Sequence, residues 1–197
     1  MTPERDPDRL MTMAAAALRG GADVFQLRHK QLGRGELLAL ARRLRELTRE
    51  AGAIFVVNDH VDLALLCEAD GVHLGADDLS LAAARHIAAD RLLIGASAST
   101  PDVALAAIES GADYIGCGPA FATPLKPQKA VIGPSGVAAV MSALDPSVPV
   151  FAIGGIDASN IAQLTAAGVR RACVVRAVGE APDPEAAARG LRAMLEA

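Results

Sequence analysis

The sequence predicts an α/β fold: an eight-stranded parallel (β/α)8 barrel of the TIM type that lacks its first β-strand at the N-terminus. Three observations carry this reading. Apolar runs rich in β-branched residues recur seven times, separated mostly by Ala/Leu/Arg-rich stretches with helical spacing. The runs are apolar throughout, as strands are in a parallel sheet covered on both faces. Nearly every run also closes on polar residues: Arg28 and Lys30, Asn58 and Asp59, Asp77 and Asp78, Ser97, Thr123, Gly154 and Gly155, and Arg176. A doubly wound sheet usually has one Gly-rich turn and one switch point, whereas a barrel gathers all its strand ends on one face.

The elements follow in order. Residues 1–18, MTPERDPDRLMTMAAAAL, run from a loop directly into a helix, so the opening strand of the barrel is absent. Two readings of that stay open: a strand encoded upstream of Met1, or an open barrel closed by another protomer or a rearranged terminus. VFQL at 24–27 is the first strand, and the stretch 34–51 is the clearest helix, with Leu37, Leu38, Ala41, Leu44 and Leu47 on one face. Further strands are read at 53–58 (AIFVVN), 71–75 (GVHLG), 92–97 (LLIGAS), 114–119 (YIGCGP), 148–155 (VPVFAIGG) and 172–175 (ACVV). A short phrase returns before strands: GGAD at 20–23, EADG at 68–71, ESGAD at 109–113 and AAGV at 166–169. Each is a helix C-cap or turn that feeds a strand. The 197 residues suit one domain, residues 1–197.

Composition narrows the function classes. Hydrophobic residues make up 52% of the chain, enough for a large core. A net charge of −4 argues against general nucleic-acid binding, which needs a basic face. Cys67, Cys117 and Cys173 lie far apart in apolar contexts and form no metal-ligand spacing. They read as small buried hydrophobes in a reducing compartment. No apolar run approaches the roughly 18 residues of a membrane span, and no signal peptide is visible. A cytoplasmic protein with no membrane or nucleic-acid partner is expected, with a homo-oligomer allowed for.

The chemistry gathers at the strand ends. Arg28, Lys30 and Lys126 supply positive charge, Asp59 and Asp78 two carboxylates, and Ser97 and Thr123 hydroxyls. Two carboxylates facing Arg and Lys suit Mg²⁺ with a diphosphate, because Mg²⁺ binds through one or two carboxylates plus phosphate oxygens. Gly154-Gly155, followed by a helix start with Asp157 or Ser159 as its cap, suits a phosphate near backbone N–H groups. Each item also has a plainer reading. Asn58-Asp59 can be a turn, Gly154-Gly155 a tight turn, and Asp77 and Ser80 helix caps. His73 reads as a satisfied core histidine, His29 as a rim residue and Cys117 as packing. Arg42, Arg43, Arg45 and Arg49 read as a solvated helix face.

The segments QLRHK, NDHVDLAL, ADGVHLGADDL, GASAST, GADYIGCGPAFATPLK and FAIGGI resemble, in content and order, those of the thiamine phosphate synthases and their thiazole tautomerase relatives. The resemblance spans about residues 15 to 195. It implies a barrel enzyme that joins hydroxymethylpyrimidine diphosphate to thiazole phosphate and releases pyrophosphate. It also implies small phosphorylated substrates and Mg²⁺ as cofactor. By the same resemblance, Gln26, Arg28 and Lys30 bind the pyrimidine diphosphate and Asn58 contacts the diphosphate. Asp59 and Asp78 hold the metal, and Ser97 lies near pyrimidine and diphosphate. Thr123 and Lys126 stand between the substrates, and Gly155, Val175 and Arg176 receive the thiazole phosphate. Arg28, Lys30, Ser97 and Lys126 are the catalytic set. Departures from the family pattern are Leu125 in place of a hydroxyl, Arg176 in place of Ser and His29 in place of an acid. A tautomerase and a non-catalytic phosphate-binding paralogue are the alternatives. The tautomerase relative uses a His where this chain has Pro119, which cannot transfer a proton.

Overall fold

A computed structural model describes residues 6–124 and 128–197. Seven parallel strands form one sheet in sequence order: β1 Val24–Leu27, β2 Ile54–Asn58, β3 Gly71–Leu74, β4 Leu93–Ala98, β5 Tyr114–Cys117, β6 Val150–Ile153 and β7 Ala172–Cys173. The helices are α1 Pro7–Arg19, α2 Arg34–Glu50, α3 Val61–Leu66, α4 Leu81–Ala88, α5 Pro101–Glu109, α6 Gly133–Ala143, α7 Ile161–Ala166, α8 Arg176–Gly179 and α9 Pro184–Glu196. The order is that of a barrel opened by one strand, and β1 and β7 are its two unpaired edges among the described residues. The helical layer nevertheless closes: α1 packs on both α2 and α9. Gly20 sits so near α9 that a Cβ there would lie 2.3 Å from the Glu185 carbonyl oxygen, and Arg19 pairs with Glu185 at 2.8 Å. No helix among the described residues is long and apolar enough to cross a membrane.

Strand parity divides the side chains. Phe25, Leu27, Phe55, Val57, Val72, Leu74, Ile94 and Ile115 face the helices and are buried there. The pairing register sets Asn58 beside His73, His73 beside Gly95, and Gly95 beside Tyr114. One step further along, Ser97 lies beside Gly116 and Gly116 beside Phe151. The interior of the sheet is therefore polar towards its C-terminal end, where a closed barrel carries layers of branched apolar side chains.

Two of the recurring phrases, EADG and ESGAD, carry aspartates that clamp strand entries. The Asp70 carboxylate accepts the Phe55 N–H at 2.7 Å and pairs with Arg45 at 2.7 Å. The Asp113 carboxylate accepts the Ile94 N–H at 2.7 Å and pairs with Arg85 at 2.6 Å. Arg45 thus belongs to the frame of the fold, unlike the solvated face expected of it, and Arg43 also pairs, with Asp8 at 2.8 Å. The expected cap of α7 differs too. Asn160 is the N-cap, while Asp157 closes its own turn by accepting from the Ser159 N–H at 2.9 Å and hydroxyl at 2.6 Å.

Gly95 is required by a ring. A Cβ there would lie 2.0 Å from Tyr114 Cζ. Gly95→Ala should destabilise the chain by about 1–3 kcal/mol through overpacking, and Tyr114→Leu in the same chain should restore part of that loss. Thermal unfolding of the two variants checks this.

Candidate active site

The first cluster lies at the ends of β1, β2 and β3. Asn58 closes β2, and Asp59 follows with φ at 69°, a left-handed conformation that Asn and Asp tolerate better than most residues. The Asp59 N–H is anchored to the His73 carbonyl at 2.9 Å, and the Asn58 amide donates to the Asp59 carboxylate. Asp78 is held by the Gly75 N–H, which donates to its carboxylate at 2.7 Å. Lys30 reaches over from the end of β1 to 4.0 Å from Asp59. Partial burial raises the pKa of Asp59 above the ordinary carboxylate range, and the adjacent Asp78 raises it further, while Lys30 and His60 oppose the shift.

Two carboxylates in contact, one reluctant to ionise, form a site of the kind a divalent cation stabilises. Oxygen-only ligands suit a hard ion such as Mg²⁺. The residues therefore fit Mg²⁺, with the remaining coordination open to water or phosphate oxygens.

Gln26 and Arg28 alternate along the interior parity of β1 and its extension, so both lie on the side of Asn58. Ser97, on β4, has its hydroxyl 3.0 Å from His73 Nε2. The second cluster is built by two loops pressed together. Gly118, Gly154 and Gly155 permit the approach: a Cβ on Gly118 would lie 2.1 Å from the Ile153 carbonyl oxygen, and one on Gly155 2.4 Å from that of Ala122. The Ala120 and Phe121 N–H groups donate to the Ile153 and Gly154 carbonyls at 2.8 and 3.0 Å. The loop after β5, which carries Thr123, is thereby docked on the Gly154-Gly155 turn. Gly154 and Gly155 both have positive φ, 101° and 64°. The Asn160 amide holds the turn by donating to the Gly155 carbonyl at 2.8 Å. Val175 caps the short α8, and Arg176 opens it; Arg176 lowers the pKa of Asp157, beside that turn, behind the larger effect of Ser159. Because α7 starts only at Ile161, the turn rather than a helix N-terminus shapes this cluster.

The sequence-predicted residues thus divide into a group of Gln26, Arg28, Lys30, Asn58, Asp59, Asp78 and Ser97, and a group of Thr123, Gly155, Val175 and Arg176. Lys126 and Leu125 lie outside the described residues. His29 is no rim residue: it is buried, and its Nδ1 accepts from the Gln31 and Leu32 N–H groups at 3.3 and 3.2 Å. From the sequence, His73 reads only as a satisfied core histidine and Tyr114 is not singled out; the structure hydrogen-bonds them to each other. The glycines Gly95 and Gly116 inside strands, where a close approach is the usual reason for glycine, were the signal for them.

Fold and site define a parallel (β/α) barrel enzyme with carboxylates, cations and hydroxyls gathered at the C-terminal ends of its strands. The model of the family described as thiamine monophosphate synthase matches residues 1–178. The thiamine-phosphate synthase of Gloeobacter violaceus is 47% identical over 89% of this chain and 51% of its own length. That of Chloroflexus aurantiacus is 46% identical over 91% of this chain and 82% of its own. The chain thus spans about half of the first relative and most of the second. A thiamine phosphate pyrophosphorylase from Pyrococcus furiosus superposes with a TM-score of 0.88 at 39% identity, covering 94% of this chain and 89% of that one. The chain belongs to the thiamine monophosphate synthase family, a family of transferases.

The raised Asp59 sets the sign of a pH effect. A carboxyl with a folded-state pKa above its unfolded one contributes full stability below the unfolded value and loses it as pH rises through the folded value. In metal-free protein, Asp59→Asn should therefore melt higher than the parent at neutral pH. The gap should close as pH falls to about 4, near the ordinary Asp range. Melting curves recorded in chelator check this.

Proposed function

We propose that this chain joins an aminopyrimidine carrying a diphosphate-activated methylene to a thiazole monophosphate, with release of pyrophosphate. The observation that carries this reading is the contact of Asp59 with Asp78 beside Lys30, at the strand-end face that also holds Arg28. Such a cluster suits a diphosphate bridged to the protein by a cation. Family membership supports the same reaction.

In this proposal the bond between the methylene carbon and the diphosphate oxygen breaks with both electrons leaving on oxygen. The electron-rich aminopyrimidine supports the cation left behind, held by Gln26. Arg28 and Lys30 meet the negative charge as it grows on the departing oxygens, where fixed cations are most effective. Asn58 and the Ser97 hydroxyl hold the same end of the substrate. Mg²⁺, when bound by Asp59 and Asp78, supplies further positive charge to the diphosphate. The Gly155 turn, Val175 and Arg176 hold the thiazole phosphate, with Thr123 between the substrates. The thiazole nitrogen, fixed in place, donates its lone pair to the cation, and proximity replaces a protein nucleophile.

Incubation with both substrates and Mg²⁺ should release pyrophosphate in step with thiamine phosphate. Asp59→Asn should lower that rate at least a hundredfold, on the order of several kcal/mol, while circular dichroism stays that of the parent. Pyrophosphate release from the parent no faster than background would overturn the reading. Arg28→Ala should weaken pyrophosphate binding, measured calorimetrically, far more than thiazole phosphate binding. Equal losses would contradict two separate subsites.

A further inference from the structure

The Ser97 hydroxyl lies 3.0 Å from His73 Nε2, and His73 Nδ1 lies 3.3 Å from the Tyr114 hydroxyl. The three side chains come from the adjacent strands β3, β4 and β5 and share the interior parity. Packing fixes the row. Tyr114 lies tilted against His73 with ring centroids 5.6 Å apart, and edge-on to Phe151 at 5.7 Å. Gly95 and Gly116 leave the space: a Cβ on Gly116 would come within 2.9 Å of His73 Cε1.

A neutral imidazole has one donor nitrogen and one acceptor nitrogen. What happens at Nδ1 therefore decides what Nε2 does. The Tyr114 phenol stays protonated: burial drives its pKa well above the ordinary value, and Cys173 and Asp113 add to the effect. A phenol proton directed to Nδ1 would make that nitrogen the acceptor and leave a proton on Nε2. Nε2–H then donates to Ser97 Oγ. With one lone pair so engaged, the serine's own proton points away from the ring.

We propose that Tyr114 and His73 are positioning residues that fix Ser97 as a hydrogen-bond donor, so that the site takes a ligand atom bearing a lone pair or negative charge at that point. The inference rests on the synthase reading and adds the polarity of this contact. No proton is transferred; the relay sets a tautomer and a hydroxyl orientation. The opposite tautomer would make Ser97 donate to His73 and present only lone pairs, which a diphosphate oxygen or a pyrimidine nitrogen would repel.

Nitrogen-15 NMR of the His73 ring in the full chain tests this directly. The parent should carry its proton on Nε2 at neutral pH, and Tyr114→Phe, which keeps the ring packing, should lose that preference. Tyr114→Phe should also lower kcat/KM about three- to tenfold, the value of one neutral hydrogen bond. In a His73→Gln background the amide NH₂ donates to Ser97 without help from Tyr114, so the added Tyr114→Phe change should cost nothing further. A parent ring protonated on Nδ1 or on both nitrogens overturns the proposal. So does an equal cost of Tyr114→Phe in both backgrounds. A parent that releases no pyrophosphate overturns the synthase reading instead, and the ring tautomer then decides the relay by itself.

Discussion

The Asp113 carboxylate takes the Ile94 N–H at 2.7 Å while Arg85 braces it at 2.6 Å, and Asp70 does the same for Phe55 with Arg45. Arg85 also ties the Ala89, Leu92 and Gly111 carbonyls at 2.9, 3.1 and 2.9 Å. These clamps bind the N–H groups of the second residues of β2 and β4 to the helices on their outer side and so pin the register at the entry end of the sheet. Register carries the rest. Side chains alternate between helix-facing and interior positions, and a one-residue slip reverses every one of them. A slip in β3 would bury His73 among the helices and turn Val72 and Leu74 into the site. Ion pairs at one end of the strands thus determine which groups meet at the other.

The two ends differ in how well their charges are matched. At the entry end each clamping carboxylate has a guanidinium partner. At the exit end Asp59 meets another carboxylate, with Lys30 no nearer than 4.0 Å, and its ionisation is disfavoured. Stability is given up at the candidate site and kept in the scaffold, which is the usual distribution of strain between the two. The backbone of Asp59 shows the same bias, with a left-handed φ of 69° sustained by the amide bond to the His73 carbonyl.

Much of this was legible in the sequence. Continuous apolar runs between helical stretches fix a parallel sheet, and the strand spans read from them agree with the observed ones to within a few residues. Polar residues at strand ends point to the candidate site, because a core has no use for Asn58, Asp59 or Arg28. What escaped were contacts that depend on parity and on loop paths. His73, between Val72 and Leu74, looks like a core residue until the register sets it beside Gly95 and one step from Ser97. His29 looks exposed until the turn after β1 folds its own N–H groups onto the ring. Arg45 sits in a charged helix face indistinguishable from solvated surface until Asp70 arrives from a distant loop. Asp157 precedes a helix, as a cap would, but α7 begins a few residues later and its carboxylate serves Ser159.

Where the side chains of the candidate site are mounted matters as much as which they are. Gln26, Asn58 and Ser97 lie on or at the ends of strands, and the Thr123 loop is locked to the Gly154-Gly155 turn by glycine contacts that admit no side chain. Neither cluster floats on a free loop. The open edge between β1 and β7 accounts for the half-buried state of interior residues on those two strands, such as Gln26 and Cys173. It leaves the exit-end rows intact, because β2 to β5, which carry Asn58, His73, Ser97 and Tyr114, all have strand neighbours on both sides. A reaction that proceeds by holding a cation-forming substrate and a neutral nucleophile at a fixed separation needs rigid supports of this kind, since small displacements cost large factors in rate.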